Sequence, residues 1–208
     1  MSWLTDTRES YDTVAASYAD QLRDVLAGEP YLRSALGLFA ELAGDGPVAD
    51  VGCGPGFVTA HLHALGVDAF GIDLSPAMIE VARREHPGVR FEVGSMTALD
   101  LADASVAGLL AWWSMIHLPD DEARTALAQF RRVLRPGGVL MLGFHVGDVS
   151  TLKTQGYGGH PMNVYIHRRT PALMSTWLRE AGFTVEAEIV LDPGERVPGA
   201  ILLARTVR

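Results

Sequence analysis

The sequence predicts an α/β protein built on a doubly wound, mostly parallel sheet of seven strands. Three observations carry that expectation. Gly and Pro cut the chain into strand-like and helix-like pieces in alternation, the pattern of parallel strands joined by helical crossovers. Val106 to Ala111 is a short run without a charged residue, as expected of a strand covered on both faces. Val48 to Val51 runs directly into a glycine-rich turn, and ligands of such sheets bind beyond the carboxyl ends of the strands.

Each element follows in chain order. Residues 1–43 read as a helical cover, because Leu22, Val25, Leu26 and then Leu36, Phe39, Ala40 and Ala43 recur at helical spacing. Gly44-Asp45-Gly46-Pro47 breaks that pattern. The first strand is Val48–Val51. Phe57–Leu65 is a helix closed by Gly66, and the second strand, Ala69–Ile72, ends at Asp73. Ser75 as N-cap and Pro76 at the first helical position open a helix that runs to about Glu85. Val89–Val93 and Val106–Ala111 are the third and fourth strands. Pro119–Leu134 is a helix with Leu127, Phe130 and Leu134 on one stripe. Pro136-Gly137-Gly138 turns the chain into a fifth strand, Val139–Phe144. Thr170-Pro171 caps the last helix, Gly182 ends it, and two strands follow near Thr184–Leu191 and Ala200–Thr206.

Gly147–Arg169 interrupts the rhythm, with no clear periodicity. A connection of that length reads as a lid over the site, and Tyr157, His160, Tyr165 and His167 are its substrate-binding candidates. The whole chain is expected to form one domain. Its parts are a helical cover (1–43), a cofactor-binding core (44–146), the lid (147–169) and a carboxyl-terminal helix with two strands (170–208).

Composition narrows the function. The chain has 208 residues, with 17 basic against 25 acidic side chains and a formal net charge of −8. No basic surplus is available to displace counterions from nucleic acid, or to dock on an anionic membrane. The longest apolar stretch, Val106 to Trp113, is too short to span a bilayer. The amino-terminal residues have neither the basic nor the apolar region of a signal peptide, so a cytoplasmic location is expected. Cys53 is the single cysteine, which excludes an internal disulfide and a cysteine metal cluster.

The strongest motif is Asp50-Val51-Gly52-Cys53-Gly54-Pro55-Gly56. Alternate glycines allow a ligand to approach the backbone, and the following helix offers free N–H groups. Asp73 stands at the end of the next strand. A carboxylate there can accept hydrogen bonds from both ribose hydroxyls of an adenosine-containing ligand. The glycine spacing is tighter than that of a dinucleotide-binding GxGxxG loop.

Together with Gly71-Ile72-Asp73-Leu74-Ser75-Pro76-Ala77-Met78, Gly94-Ser95-Met96 and Leu134-Arg135-Pro136-Gly137-Gly138, this motif resembles the class I, Rossmann-like S-adenosylmethionine-dependent methyltransferases. Tyr11-Asp12 and Tyr18 look like the amino-terminal element of that family. The resemblance implies S-adenosyl-L-methionine as cofactor and S-adenosyl-L-homocysteine as product. It implies that Gly52, Gly54 and the neighbouring backbone, Gly56 included, line the methionine moiety, and that Asp50 reaches its amino group. Asp73 would hold the ribose. Leu74, Met78 and Met96 would sandwich the adenine, with Ser95 at its edge, where many relatives carry an acidic residue. Ala111 and Trp112 would border the methionine through their backbone, Trp113 would shape the methyl-transfer face, and Tyr18 with Tyr11 would close over the carboxylate.

Methyl transfer from a sulfonium is an in-line displacement, so the protein mainly supplies alignment and a dry site. A base is needed only for a protonated, weakly acidic acceptor. His117 and His145 follow the fourth and fifth strands and are the catalytic candidates. The bland readings are a backbone anchor for His117 and a loop position for His145. Histidine spacing matches no metal motif. The expected function is methyl transfer to an O or N atom of a small molecule, a secondary metabolite among the candidates, by a monomer or homodimer. The alternative is a cofactor-binding protein that does not methylate, serving a structural role or another reaction. Protein or RNA methylation is disfavoured by the acidic balance and by the lack of an Asn/Asp-Pro-Pro-Tyr type motif after the fourth strand.

Overall fold

A computed structural model of the chain describes residues 2–207. A seven-stranded sheet has the order β3-β2-β1-β4-β5-β9-β8, and all of its strands run parallel except β9. The strands are β1 (Val48–Val51), β2 (Ala69–Asp73), β3 (Arg90–Val93), β4 (Val106–Trp112), β5 (Leu134–His145), β8 (Phe183–Leu191) and β9 (Gly199–Thr206). The helices are α1 (Trp3–Leu22), α2 (Pro30–Ala43), α3 (Phe57–Ala64), α4 (Pro76–Glu85), α5 (Asp120–Val133) and α6 (Pro171–Glu180).

Strand period places alternate residues on opposite faces. In β4, Leu109 and Ala111 pack toward Leu127, Phe130 and Trp177 of α5 and α6. Leu110 packs on the other side with Leu36, Phe39, Val58 and Leu62 of α2 and α3. That double cover explains the uninterrupted apolarity of β4. Helix α4 starts as its sequence predicts: Ser75 Oγ accepts the Met78 N–H at 3.1 Å, and Pro76 opens the first turn. Thr170 caps α6 in the same way, accepting from Leu173 N–H.

Three expectations change. The helical cover is two helices, because residues 23–29 form turns between α1 and α2. The fifth strand starts at Leu134, which pairs with Val106; an irregularity containing Gly137 at φ +76° then shifts the register before Val139 pairs with Gly108. Residues 147–169 are not irregular. They fold into an antiparallel hairpin, β6 (Ser150–Gly156) and β7 (His160–His167), separate from the main sheet. Its period-two signal is thin: only Met162 and Val164 of β7 are buried, against Val14, Ala15 and Ala19 of α1. The Asn163 N–H also donates to Ser10 Oγ at 2.8 Å, so α1 and the hairpin are held together directly.

Candidate active site

The strand order reverses between β1 and β4, and the carboxyl ends of those strands open onto a cleft of about 710 Å³. Its floor is the turn after β1. The N–H groups of Gly52 and Cys53 both donate to the Ile72 carbonyl, at 2.7 and 3.1 Å. Gly52 has φ +78°, and a Cβ there would overlap the Cβ of Ser114. Ser114 in turn donates its hydroxyl to the Val51 carbonyl at 2.7 Å. Gly54 has φ +55°, and a Cβ there would meet only the Tyr18 ring at an ordinary 3.9 Å, so here the left-handed backbone rather than crowding favours glycine. Gly56 leaves room for the Phe91 ring, which a Cβ would meet at 2.6 Å.

Asp73 links the turn to helix α4. Its Oδ2 accepts the Gly54 N–H at 2.8 Å and its Oδ1 accepts the Ser75 N–H at 2.9 Å. Each oxygen retains lone-pair capacity toward the cleft. Burial raises the Asp73 carboxyl to about 6, while the Ser75 and Gly54 donors pull it down and nearby Asp12 pushes it up. Asp50 lies deeper and is fully buried. Its Oδ2 accepts the Thr59 hydroxyl at 2.7 Å, and its Oδ1 has no partner. Burial raises this carboxyl to about 7.

Helix α1 roofs the cleft. Asp12 Oδ1 accepts from Ser75 Oγ at 2.6 Å and from Ala77 N–H at 3.1 Å, which fixes α1 to the first turn of α4. Tyr11 and Tyr18 then hang over the cleft with ring centroids 6.0 Å apart. Tyr18 meets Tyr157 of the hairpin turn edge-on at 4.5 Å, and Lys153 Nζ sits 3.9 Å over the Tyr157 ring. His117, in the 3-10 turn after β4, closes the frame. Its Nδ1 donates to the Tyr165 carbonyl at 2.9 Å, which leaves Nε2 to accept the Tyr11 hydroxyl at 2.7 Å. Burial lowers the imidazole to about 4.

Most of the residues singled out from sequence meet in this cleft. Tyr11, Tyr18, Gly52, Gly54 and Asp73 line one side. Leu74, Met78, Ser95 and Met96 line a second, and Trp112, Trp113 and His117 a third. Strict alternation at the end of β4 would point Trp112 and Trp113 to opposite faces. Both reach the cleft, because Trp113 has a positive φ of +50°. Ala111 is buried in the core, and Asp50 and Gly56 lie behind the cleft surface. His145 contacts the Trp113 ring edge at a centroid distance of 6.3 Å and lines neither this cleft nor the one beyond His117. His160 is exposed at the hairpin turn, while Tyr165 and His167 border a second cleft beyond His117. Trp3, Thr7 and Ser114 went unassigned in the sequence. Trp3, Thr7 and Tyr11 recur every four residues, a helical face that carries the missing signal.

Residues 48–138 match the family described as methyltransferase domain. The matched stretch contains the glycine turn, Asp73 and His117, and stops short of both the roof helix and the hairpin. N-demethylindolmycin N-methyltransferase of Streptomyces griseus is 31% identical over 125 residues, covering 57% of this chain and 53% of that protein. The chain thus spans about half the length of this curated relative. Among solved structures, the Burkholderia thailandensis 1,6-didemethyltoxoflavin-N1-methyltransferase, with bound 1,6-didemethyltoxoflavin and S-adenosylhomocysteine, superimposes with a TM-score of 0.70 at 27% identity. The superposition covers 93% of this chain and 85% of that one. The CcbJ methyltransferase from Streptomyces caelestis shares the fold, with a TM-score of 0.76 at 22% identity over 96% of this chain and 98% of that one. Among the described residues, no helix is long and apolar enough to cross a membrane.

Proposed function

We propose that the protein transfers a methyl group from S-adenosyl-L-methionine to an O or N atom of a small molecule by in-line displacement. The observation that carries this reading is Asp73. It is held by two backbone N–H groups at the mouth of a turn that excludes side chains, and it faces a cleft walled by Leu74, Met78 and Met96. That donor and acceptor set fits an adenosine ligand: a carboxylate for two hydroxyls, and apolar side chains for a flat base. The buried, unpartnered Oδ1 of Asp50 behind the turn suits an ammonium reached through a bridging water.

When bound, the cofactor supplies an electrophilic methyl group and its own leaving group. The chain's residues align and enclose. Gly52 and Gly54 let the ligand lie against backbone. Tyr11 and Tyr18 exclude water from above, and Trp112 and Trp113 wall the methyl-transfer side. His117 is neutral at pH 7 with both nitrogens engaged, so in this reading it positions Tyr11 and the hairpin instead of removing a proton. His145 has no role in the transfer. The acceptor therefore presents its own lone pair near neutral pH, as an aromatic or heterocyclic nitrogen or an acidic, already ionised phenol does.

The test is incubation with labelled cofactor and a panel of amine and phenol acceptors, followed by detection of S-adenosyl-L-homocysteine and labelled product. Product formation that survives His145→Ala and falls with Asp73→Ala supports the reading. Cofactor binding with no transfer to any acceptor favours a non-methylating protein instead.

A further inference from the structure

Trp113 sits in a seat that the neighbouring strands keep free of side chains. Its backbone is held in the left-handed region at φ +50°, and its N–H donates to the Gly143 carbonyl of β5 at 2.9 Å. A Cβ at Gly143 would overlap the six-membered ring of the indole at 2.5 Å. A Cβ at Gly199, which opens β9 beside His145, would press on the same ring at 3.2 Å. Two adjacent strands thus each omit a side chain where the indole lies. A bulky residue at positive φ costs free energy that its surroundings must offset, and such positions cluster at ligand sites. Trp112 stands against the seat, with ring centroids 4.8 Å apart and planes at 74°. Both indoles line the cleft that holds the glycine turn and Asp73. Together they form a corner of two nearly perpendicular aromatic surfaces. His145, next to Trp113, is uncharged at pH 7, because burial and then Arg168 and Lys153 hold its imidazole below the ordinary value.

We propose that the corner made by Trp112 and Trp113 seats the acceptor, and that it selects a flat aromatic or heteroaromatic ring that stacks on one indole and meets the other edge-on. Offset stacking and edge-to-face contact are the favoured arrangements of aromatic pairs, and two perpendicular rings offer one of each to the same guest. A saturated ring system of equal size is puckered and makes neither contact. The corner belongs to the same cleft as Asp73 and the glycine turn, so acceptor and cofactor share one enclosure, as in-line transfer requires. This inference rests on the methyltransferase reading above and names the class of its acceptor.

2-Naphthol and decahydro-2-naphthol share a hydroxyl and a fused-ring carbon skeleton and differ in flatness and aromaticity, which makes them the probes. Each is titrated calorimetrically into protein saturated with S-adenosyl-L-homocysteine. 2-Naphthol is expected to bind at least about tenfold more tightly. Trp113→Gly, which suits the positive φ and removes the ring, is expected to erase that preference. Gly143→Ala, which displaces the indole without removing it, is expected to cut the preference by at least about threefold. Both variants are expected to keep S-adenosyl-L-homocysteine affinity within about twofold of the wild type. Equal binding of the probes, binding of neither, or a preference that survives both substitutions overturns the inference. A loss of S-adenosyl-L-homocysteine affinity of about tenfold or more in folded variants assigns the indoles to the cofactor and also overturns it. Failure of the wild-type protein to bind S-adenosyl-L-homocysteine, measured first, overturns the underlying reading instead.

Discussion

Tyr11 donates its phenolic hydrogen to Nε2 of His117 at 2.7 Å, which joins the roof helix to the segment after β4. The direction of that bond is fixed by the other ring nitrogen. A backbone carbonyl only accepts, so Nδ1 must carry the proton toward Tyr165, and the neutral ring then accepts at Nε2. One histidine thus holds the roof and the hairpin in register over the cleft. Burial raises the Tyr11 phenol well above its ordinary value, so the phenol stays protonated and the bond persists across the neutral range.

Tyr11→Phe removes the donor and leaves a buried imidazole nitrogen unpaired. We expect a loss of about 1–3 kcal/mol in unfolding free energy, measured by urea denaturation. His117→Phe, which removes both ring bonds, should cost more than Tyr11→Phe. A destabilisation by Tyr11→Phe below about 0.3 kcal/mol would mean that the bond contributes nothing net.

Glycine substitutions separate crowding from backbone conformation. Gly52→Ala meets both a positive φ and the Ser114 side chain, whereas Gly54→Ala meets only the positive φ. Gly54→Ala should cost about 1–2 kcal/mol. Gly52→Ala should cost clearly more and should be partly rescued by Ser114→Gly. Thermal unfolding of the four proteins reads this out, and equal costs at the two glycines would contradict it.

The carboxyl of Asp50 sits at about 7 in the folded protein, raised from an ordinary value of 3.8 by burial. A raised folded-state value means that the folded protein holds a proton the unfolded chain has released. The stability this group contributes is full below about pH 4 and is lost as the pH rises toward 7. Asp50→Asn removes the titration and keeps an acceptor for Thr59. The variant should therefore gain on the wild type between pH 5 and pH 8, by on the order of 2–4 kcal/mol. Chemical denaturation of both proteins at the two pH values measures the difference, and a pH-independent gap would show that Asp50 is ionised throughout.

His117 acts with the opposite sign. Its folded value of about 4 lies below 6.5, so its contribution is present above pH 6.5 and is lost as the pH falls toward 4. Asp50 and Asp73 oppose it in the same window, which makes the wild-type profile shallow. His117→Phe should steepen that profile, with stability falling as the pH rises from 4 to 7. A wild-type profile already that steep would place the imidazole near its ordinary value.

The cofactor side of the cleft was legible in the sequence because its signals are local. Gly52, Gly54 and Asp73 sit at strand ends within one crossover, and Ser75-Pro76 announces the helix that Asp73 abuts. The contacts that hold the roof helix and the hairpin in place were not, for a physical reason. Tyr165 contributes to the site through its backbone carbonyl, which any residue possesses, and Ser10 binds the hairpin through the Asn163 N–H. Asp12 acts as a remote cap for α4, 63 residues from Ser75. The hairpin went unread because β7 buries only two alternate side chains, and those pack on a helix instead of a sheet. Trp112 and Trp113 share the cleft because strand period fails where φ turns positive, and no residue type announces that turn at a tryptophan.

The central claim is that Asp73 and the glycine turn form an adenosine site. Calorimetric titration with S-adenosyl-L-homocysteine, on wild-type protein and Asp73→Asn, tests it most directly. The amide would turn an N–H donor toward the Gly54 or Ser75 N–H, so we predict saturable one-to-one binding in the wild type and at least about tenfold weaker binding in the variant. Absence of binding to the wild type, or equal affinity in a folded Asp73→Asn, would contradict the account.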